Sequence, residues 1–138
     1  DDNGGNEAIM EKKLTPGIKI SITRSISKAF ENYMKSIEWD EERLDIRAFV
    51  EEWKEYTTHH ASWYQKVDEE TKQDPAFHKE LADKINQTID RILSEEPDEE
   101  QMEIIKLLEE KAGTNHTYSC RAEAKYVIDK LNEELKKK

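Results

Sequence analysis

Apolar residues recur at spacings of three and four through most of this chain, and its few prolines and glycines fall between the runs. After Thr15-Pro16-Gly17, the positions Ile18, Ile22, Ile26, Ala29, Phe30, Tyr33, Met34 and Ile37 predict a first amphipathic helix. Ile18, Ile20 and Ile22 also alternate as a strand would, and β-branched residues are dense there. The longer series keeps the 3.6-residue period, which favours helix. Asp40, followed by Glu41 and Glu42, is placed to cap a second helix. Its stripe runs Ile46, Phe49, Val50, Trp53, Tyr56, His60, Trp63, Tyr64 and Val67 without losing phase. That predicts one helix of roughly seven turns, with the weak helix formers Thr57 to His60 as a place to kink.

Asp74-Pro75 opens a third helix, an N-cap followed by proline in the first turn. Phe77, Leu81, Ile85, Ile89 and Ile92 form its apolar face. Glu95-Glu96-Pro97-Asp98 ends it and begins a fourth, with Met102, Ile105, Leu108 and Ala112 as stripe and Gly113 as terminator. Cys120, Ala124, Val127, Leu131 and Leu135 mark a fifth. The pattern predicts an all-α bundle of about five helices, mostly antiparallel. A flexible, disordered N-terminal tail is expected over residues 1–10, with a single domain over 11–138.

Composition makes the core thin. Hydrophobic residues are 35% and charged residues 39% of the chain, against roughly 25% charged in an average domain. Three Trp, five Tyr and three Phe compensate in part. Stripe area left uncovered by one copy would favour a homodimer. The formal net charge of −10 argues against a surface that binds nucleic acid or anionic lipid throughout. No apolar run is long enough to span a bilayer, and the opening Asp1 to Asn6 has no apolar leader core. A single cysteine, Cys120, suits a reducing compartment, so the expected location is cytoplasmic.

Familiar catalytic signatures are missing. There is no Walker-type or dinucleotide glycine loop, no nucleophile elbow and no H-E-x-x-H, and no His follows a Glu by three. No catalytic, cofactor or metal residue is therefore assigned. His116 and Cys120 stand four apart, a spacing that could share a metal, but two ligands fall short of a structural zinc site. His60 lies on the aromatic stripe, where a satisfied core or boundary histidine is the simpler reading. The carboxylate clusters read as solvated helix ends.

Charge distribution changes this picture. Residues 11–37 carry six basic side chains against two acidic, whereas residues 38–138 carry 16 against 27. On a helical wheel Arg24, Lys28 and Lys35 fall within about 40° of one another, opposite the apolar stripe. The plainest expectation is that this basic edge pairs with the acidic flanks of helix 2.

The functional expectation is a non-enzymatic regulatory, adaptor or inhibitor protein that acts on another protein, with the acidic body favouring a basic partner. Arg24, Lys28, Lys35, Trp53, Tyr56, His60, Trp63 and Tyr64 are the candidate contact residues. Two rival readings are kept. One is a nucleic-acid contact through the basic face of helix 1. The other is an enzyme or ligand site on helix 2, which would need His60 and Tyr64 in one cleft with Glu52 or Glu55.

Overall fold

A computed structural model describes residues 14–137. The tail expected over residues 1–10 lies outside the described residues. These form seven α-helices: α1 (Pro16–Ser36), α2 (Ile46–His60), α3 (Ser62–Lys66), α4 (Glu69–Gln73), α5 (Pro75–Ser94), α6 (Glu99–Ala112) and α7 (Arg121–Lys136). A 3-10 turn, Glu41–Arg43, links α1 and α2. The chain is all-α, with five substantial helices and no strand among the described residues. It divides into two compact units, the first ending at Ile89 and the second starting at Asp90.

In the first unit, Thr15 caps α1 by accepting a hydrogen bond from the Ile18 amide at 3.2 Å, and Pro16 presets the first turn. Ile22, Ile26, Ala29, Phe30, Tyr33 and Met34 are buried along one face, whereas Ile20 is 54% exposed. That asymmetry is helical and excludes the strand reading of Ile18–Ile22. α2 runs antiparallel to α1: Ser25 meets Trp53, Phe30 meets Phe49 edge-on at 5.4 Å, and the Tyr33 hydroxyl reaches the entry to α2. There it accepts from the Asp45 amide at 2.9 Å and donates to the Arg43 carbonyl at 3.5 Å.

The long second helix expected over Ile46–Val67 is broken. α2 stops at His60, Ala61 is extended (φ −100°, ψ 114°), and α3 starts at Ser62. The weak formers at its end explain where it breaks: the hydroxyls of Thr57 and Thr58 both donate to the Lys54 carbonyl, at 3.0 and 2.8 Å. Such local bonds compete with the helical ladder. Packing explains why breaking is favoured. In a continuous helix Trp53 and Trp63 would sit roughly 15 Å apart along the axis. Across the break their rings stack at 6.3 Å. The cap also moves: Asp40 caps only the 3-10 turn, and Asp45 caps α2 through the amides of Arg47 and Ala48.

After α1 the chain turns through two consecutive left-handed residues, Glu38 (φ 56°) and Trp39 (φ 55°). Neither is glycine, so each carries a cost of about 1–2 kcal/mol. Trp39 is buried and its burial holds the turn, but Glu38 is exposed. Replacing Glu38 with glycine is expected to stabilise the protein by about 0.5–1 kcal/mol, after the entropy glycine adds to the unfolded chain. A thermal melt checks this, and a lowered midpoint would count against strain at Glu38.

In the second unit, α6 begins with a capping box. Asp98 accepts from the Gln101 amide at 2.7 Å, and the Gln101 side chain accepts from the Asp98 amide at 3.2 Å. α6 ends at Gly113, whose left-handed φ of 73° suits glycine. A mostly antiparallel arrangement was expected, yet α6 and α7 run parallel. Gln101, near the start of α6, donates to the carbonyl of Arg121, the first residue of α7. Thr114, just past the end of α6, meets Glu134 near the end of α7 at 3.3 Å. The connection over 113–120 returns along the pair; extended, it can span roughly 26 Å, more than the ~21 Å length of α6. Ile105 and Ala112 are buried in one cluster with Ala124, Val127 and Leu131. Apart from Met102, which is 42% exposed, the stripes predicted for these two helices are therefore the ones that pack, in an unforeseen direction.

Candidate functional site

The site-forming part of the first unit is organised by a serine that the sequence reading passed over. Ser25 lies on the apolar face of α1 and is buried. Its hydroxyl donates to the Ile22 carbonyl at 2.7 Å. It accepts from both stacked indoles, Trp53 Nε1 at 3.1 Å and Trp63 Nε1 at 3.3 Å. One donor and two acceptor positions are all that a hydroxyl offers, so Ser25 is saturated. A polar residue inside the stripe of Ile22, Ile26 and Ala29 was the available signal for it.

Two concavities flank this tryptophan pair. The larger is a cleft of about 540 Å³ between α2, α3 and α5, with Lys72 of α4 at its side. Ile46, Val50, Trp53, Trp63, Phe77, Leu81 and Ile85 make its lining mainly apolar. Lys54, Lys72, His78 and Asn86 are among its polar groups. The Lys72 ammonium sits 4.1 Å from the centre of the Tyr64 ring and 3.3 Å from Glu69. His78 donates from its ring to the Lys72 carbonyl, tying α5 to α4.

The smaller concavity is a polar recess of about 250 Å³ where α1 faces the α2–α3 break. Ser21, Arg24, Ser25 and Lys28 line it from α1, with Tyr56 and His60 from α2 and Ala61, Ser62 and Trp63 from the break onward. Trp63 walls both concavities, being 2% exposed itself. None of the described carboxylates lines either one, in a chain with 32 Asp and Glu.

The predicted contact residues are thus divided. Trp53, Trp63 and Tyr64 line the cleft, whereas Arg24, Lys28, Tyr56 and His60 line the recess together with Trp63. Lys35 is exposed and belongs to neither. His60 is not the core or boundary residue expected from the stripe. It is exposed, its ring 5.5 Å from that of Tyr56, because the helix ends there and the stripe passes to Trp63 across the break. The break likewise separates His60 from Tyr64, and neither Glu52 nor Glu55 lines a concavity, so the constellation an enzyme reading required is not assembled.

The basic edge of α1 does not pair with α2. Among the described residues Arg24, Lys28 and Lys35 form no ion pair. Glu51 and Glu55 instead face Lys54 and His59 of their own helix, at 3.6 and 3.5 Å. In the second unit His116 lies 3.2 Å from Glu134, and Cys120 is buried at the start of α7, so their four-residue spacing is not realised as a shared site. No cluster of three or more metal-ligating side chains occurs among the described residues, and none of their helices is long and apolar enough to cross a membrane.

Compared with known proteins, the chain matches no family model, no curated sequence and no solved structure.

Proposed function

We propose that this chain is a non-catalytic binding protein whose cleft between α2, α3 and α5 receives the apolar face of an acidic amphipathic helix from a partner protein. One observation carries the reading: an apolar cleft lined by two lysines and no carboxylate, in a chain of net charge −10. Its volume lies in the range of roughly 300–1,000 Å³ typical of ligand sites. Helix-in-groove recognition uses apolar anchors at i, i+3, i+4 and i+7, which an apolar, half-open cleft between helices suits. Bulk charge alone favours a basic partner, but at short range the charged groups that line the cleft are Lys54 and Lys72, whose ion-pair partners Glu51 and Glu69 lie outside the lining. Ile46, 43% exposed at the cleft edge, is an apolar surface that such a helix would cover.

Two synthetic peptides test the reading, each with the same leucine stripe but with flanks of Glu in one and Lys in the other. Measured by fluorescence anisotropy at physiological salt, the Glu-flanked peptide is expected to bind at least tenfold more tightly. Ile46→Glu and Ala82→Glu, both at exposed cleft positions, are expected to weaken it by a further tenfold or more. Preference for the Lys-flanked peptide, or indifference to both variants, would overturn the proposal. A concentration-dependent mass showing that a second copy fills the cleft would replace the partner with the chain itself.

A further inference from the structure

We infer that the polar recess at the α2–α3 break is a binding site for the phosphate dianion of a small phosphorylated molecule. Six of the side chains that line it bear donors with no protein group to satisfy. Arg24 and Lys28 form no ion pair, and Ser21, Tyr56, His60 and Ser62 form no hydrogen bond through their side chains, among the described residues. No carboxylate lines the recess to compete for an anion. Two permanent cations match a charge of −2, and hydroxyl donors around them match the several oxygens of a phosphate.

The fold positions these groups without relying on loops alone. Ser21, Arg24, Ser25 and Lys28 stand at i, i+3, i+4 and i+7 of α1, one face of a regular helix. Tyr56 and His60 stand at i and i+4 of α2. The extended Ala61 then carries Ser62 and Trp63 across to close the third side. Ser25 ties the wall together through both indoles, so the recess is held by buried hydrogen bonds. Its volume of about 250 Å³ suits a small headgroup better than a polymer, and a polymer's phosphodiesters carry one charge each. The monoester, with its second pKa at about 6, is mostly doubly charged at neutral pH.

The test is a titration of the full chain followed by amide and indole NMR shifts at constant ionic strength. The probes are inorganic phosphate, phenyl phosphate and dimethyl phosphate. Saturable shifts centred on residues 21–28 and 60–63 are expected with the first two, at least fivefold tighter than with dimethyl phosphate. Arg24→Ala with Lys28→Ala is expected to weaken phosphate binding at least tenfold with helicity retained, since both side chains are exposed. Lys35→Ala, on the same helix edge but outside the recess, is expected to change it less than twofold. Shifts that do not saturate, equal binding of dimethyl phosphate, or an equal loss on Lys35→Ala would each overturn the inference. Tighter binding of a single-stranded oligonucleotide than of phenyl phosphate would also overturn it, in favour of a nucleic-acid surface. The peptide experiment probes the other side of Trp63, so either proposal can fail alone.

Discussion

Trp63→Ala is expected to destabilise the first unit by about 3–5 kcal/mol, the range for removing a buried aromatic side chain. Trp63 is 2% exposed, stacks on Trp53 at 6.3 Å, meets Tyr64 edge-on at 5.7 Å and donates to Ser25. Truncation removes all of these contacts from an element, α3, that has only five residues and no side-chain cap of its own. A helix that short has no stability apart from packing, so α3 is expected to detach from α1 and α2. The cleft and the recess would lose their common wall together. Urea denaturation followed by circular dichroism measures the loss. A change below about 1 kcal/mol would mean that Trp63 is not the anchor its burial implies. In the peptide and phosphate titrations the same variant should lose both activities, whereas Ile46→Glu and the Arg24/Lys28 pair should each lose one.

The second large effect is expected at Ser25. Ser25→Ala leaves two buried indole N–H groups without their acceptor, and each unsatisfied donor costs about 1–3 kcal/mol. The summed expectation is about 2–6 kcal/mol, which at about 4–8 °C per kcal/mol lowers the melting midpoint by roughly 10–50 °C in a unit of this size. Almost no volume is removed, so cavity formation does not account for such a loss. A cycle separates the causes: in a background carrying Trp53→Phe and Trp63→Phe, the cost of Ser25→Ala should fall below about 1 kcal/mol. An undiminished cost there would show that the serine acts through its bond to the Ile22 carbonyl or through helix packing instead.

Much of the fold was legible along the chain because it rests on local rules. Thr15-Pro16, Asp74-Pro75, Asp98 and Gly113 stand at helix ends, each supplying a cap or a φ that its position needs. The stripes of α1, α5, α6 and α7 are largely buried where their period placed them, from Ile22 and Phe30 to Val127 and Leu131, although Met102 of α6 is 42% exposed. The candidate site was legible only in part. Arg24, Lys28, Tyr56, His60, Trp53, Trp63 and Tyr64 were all named, but as one stripe and one basic edge rather than as two walls of different character. Ser25, Ser62 and Lys72 were missed, since nothing along the chain says that a serine at position 25 faces two indoles from elsewhere.

The sequence by itself determined the helical class, most helix ends and which face of each helix is apolar, because hydrogen bonding within helices and side-chain periodicity act over a few residues. Tertiary structure decided what those faces meet. It ended α2 at His60 although the stripe stayed in phase through Val67, because stacking Trp63 on Trp53 and sharing Ser25 needed a bend that no helical period encodes. It ran α6 parallel to α7, since a long return over 113–120 satisfies the same apolar stripes as a tight antiparallel turn would. It also placed cations, and no described carboxylate, in the lining of two concavities of an acidic protein. Charge acts through space, and which charges become neighbours is settled only when the helices pack.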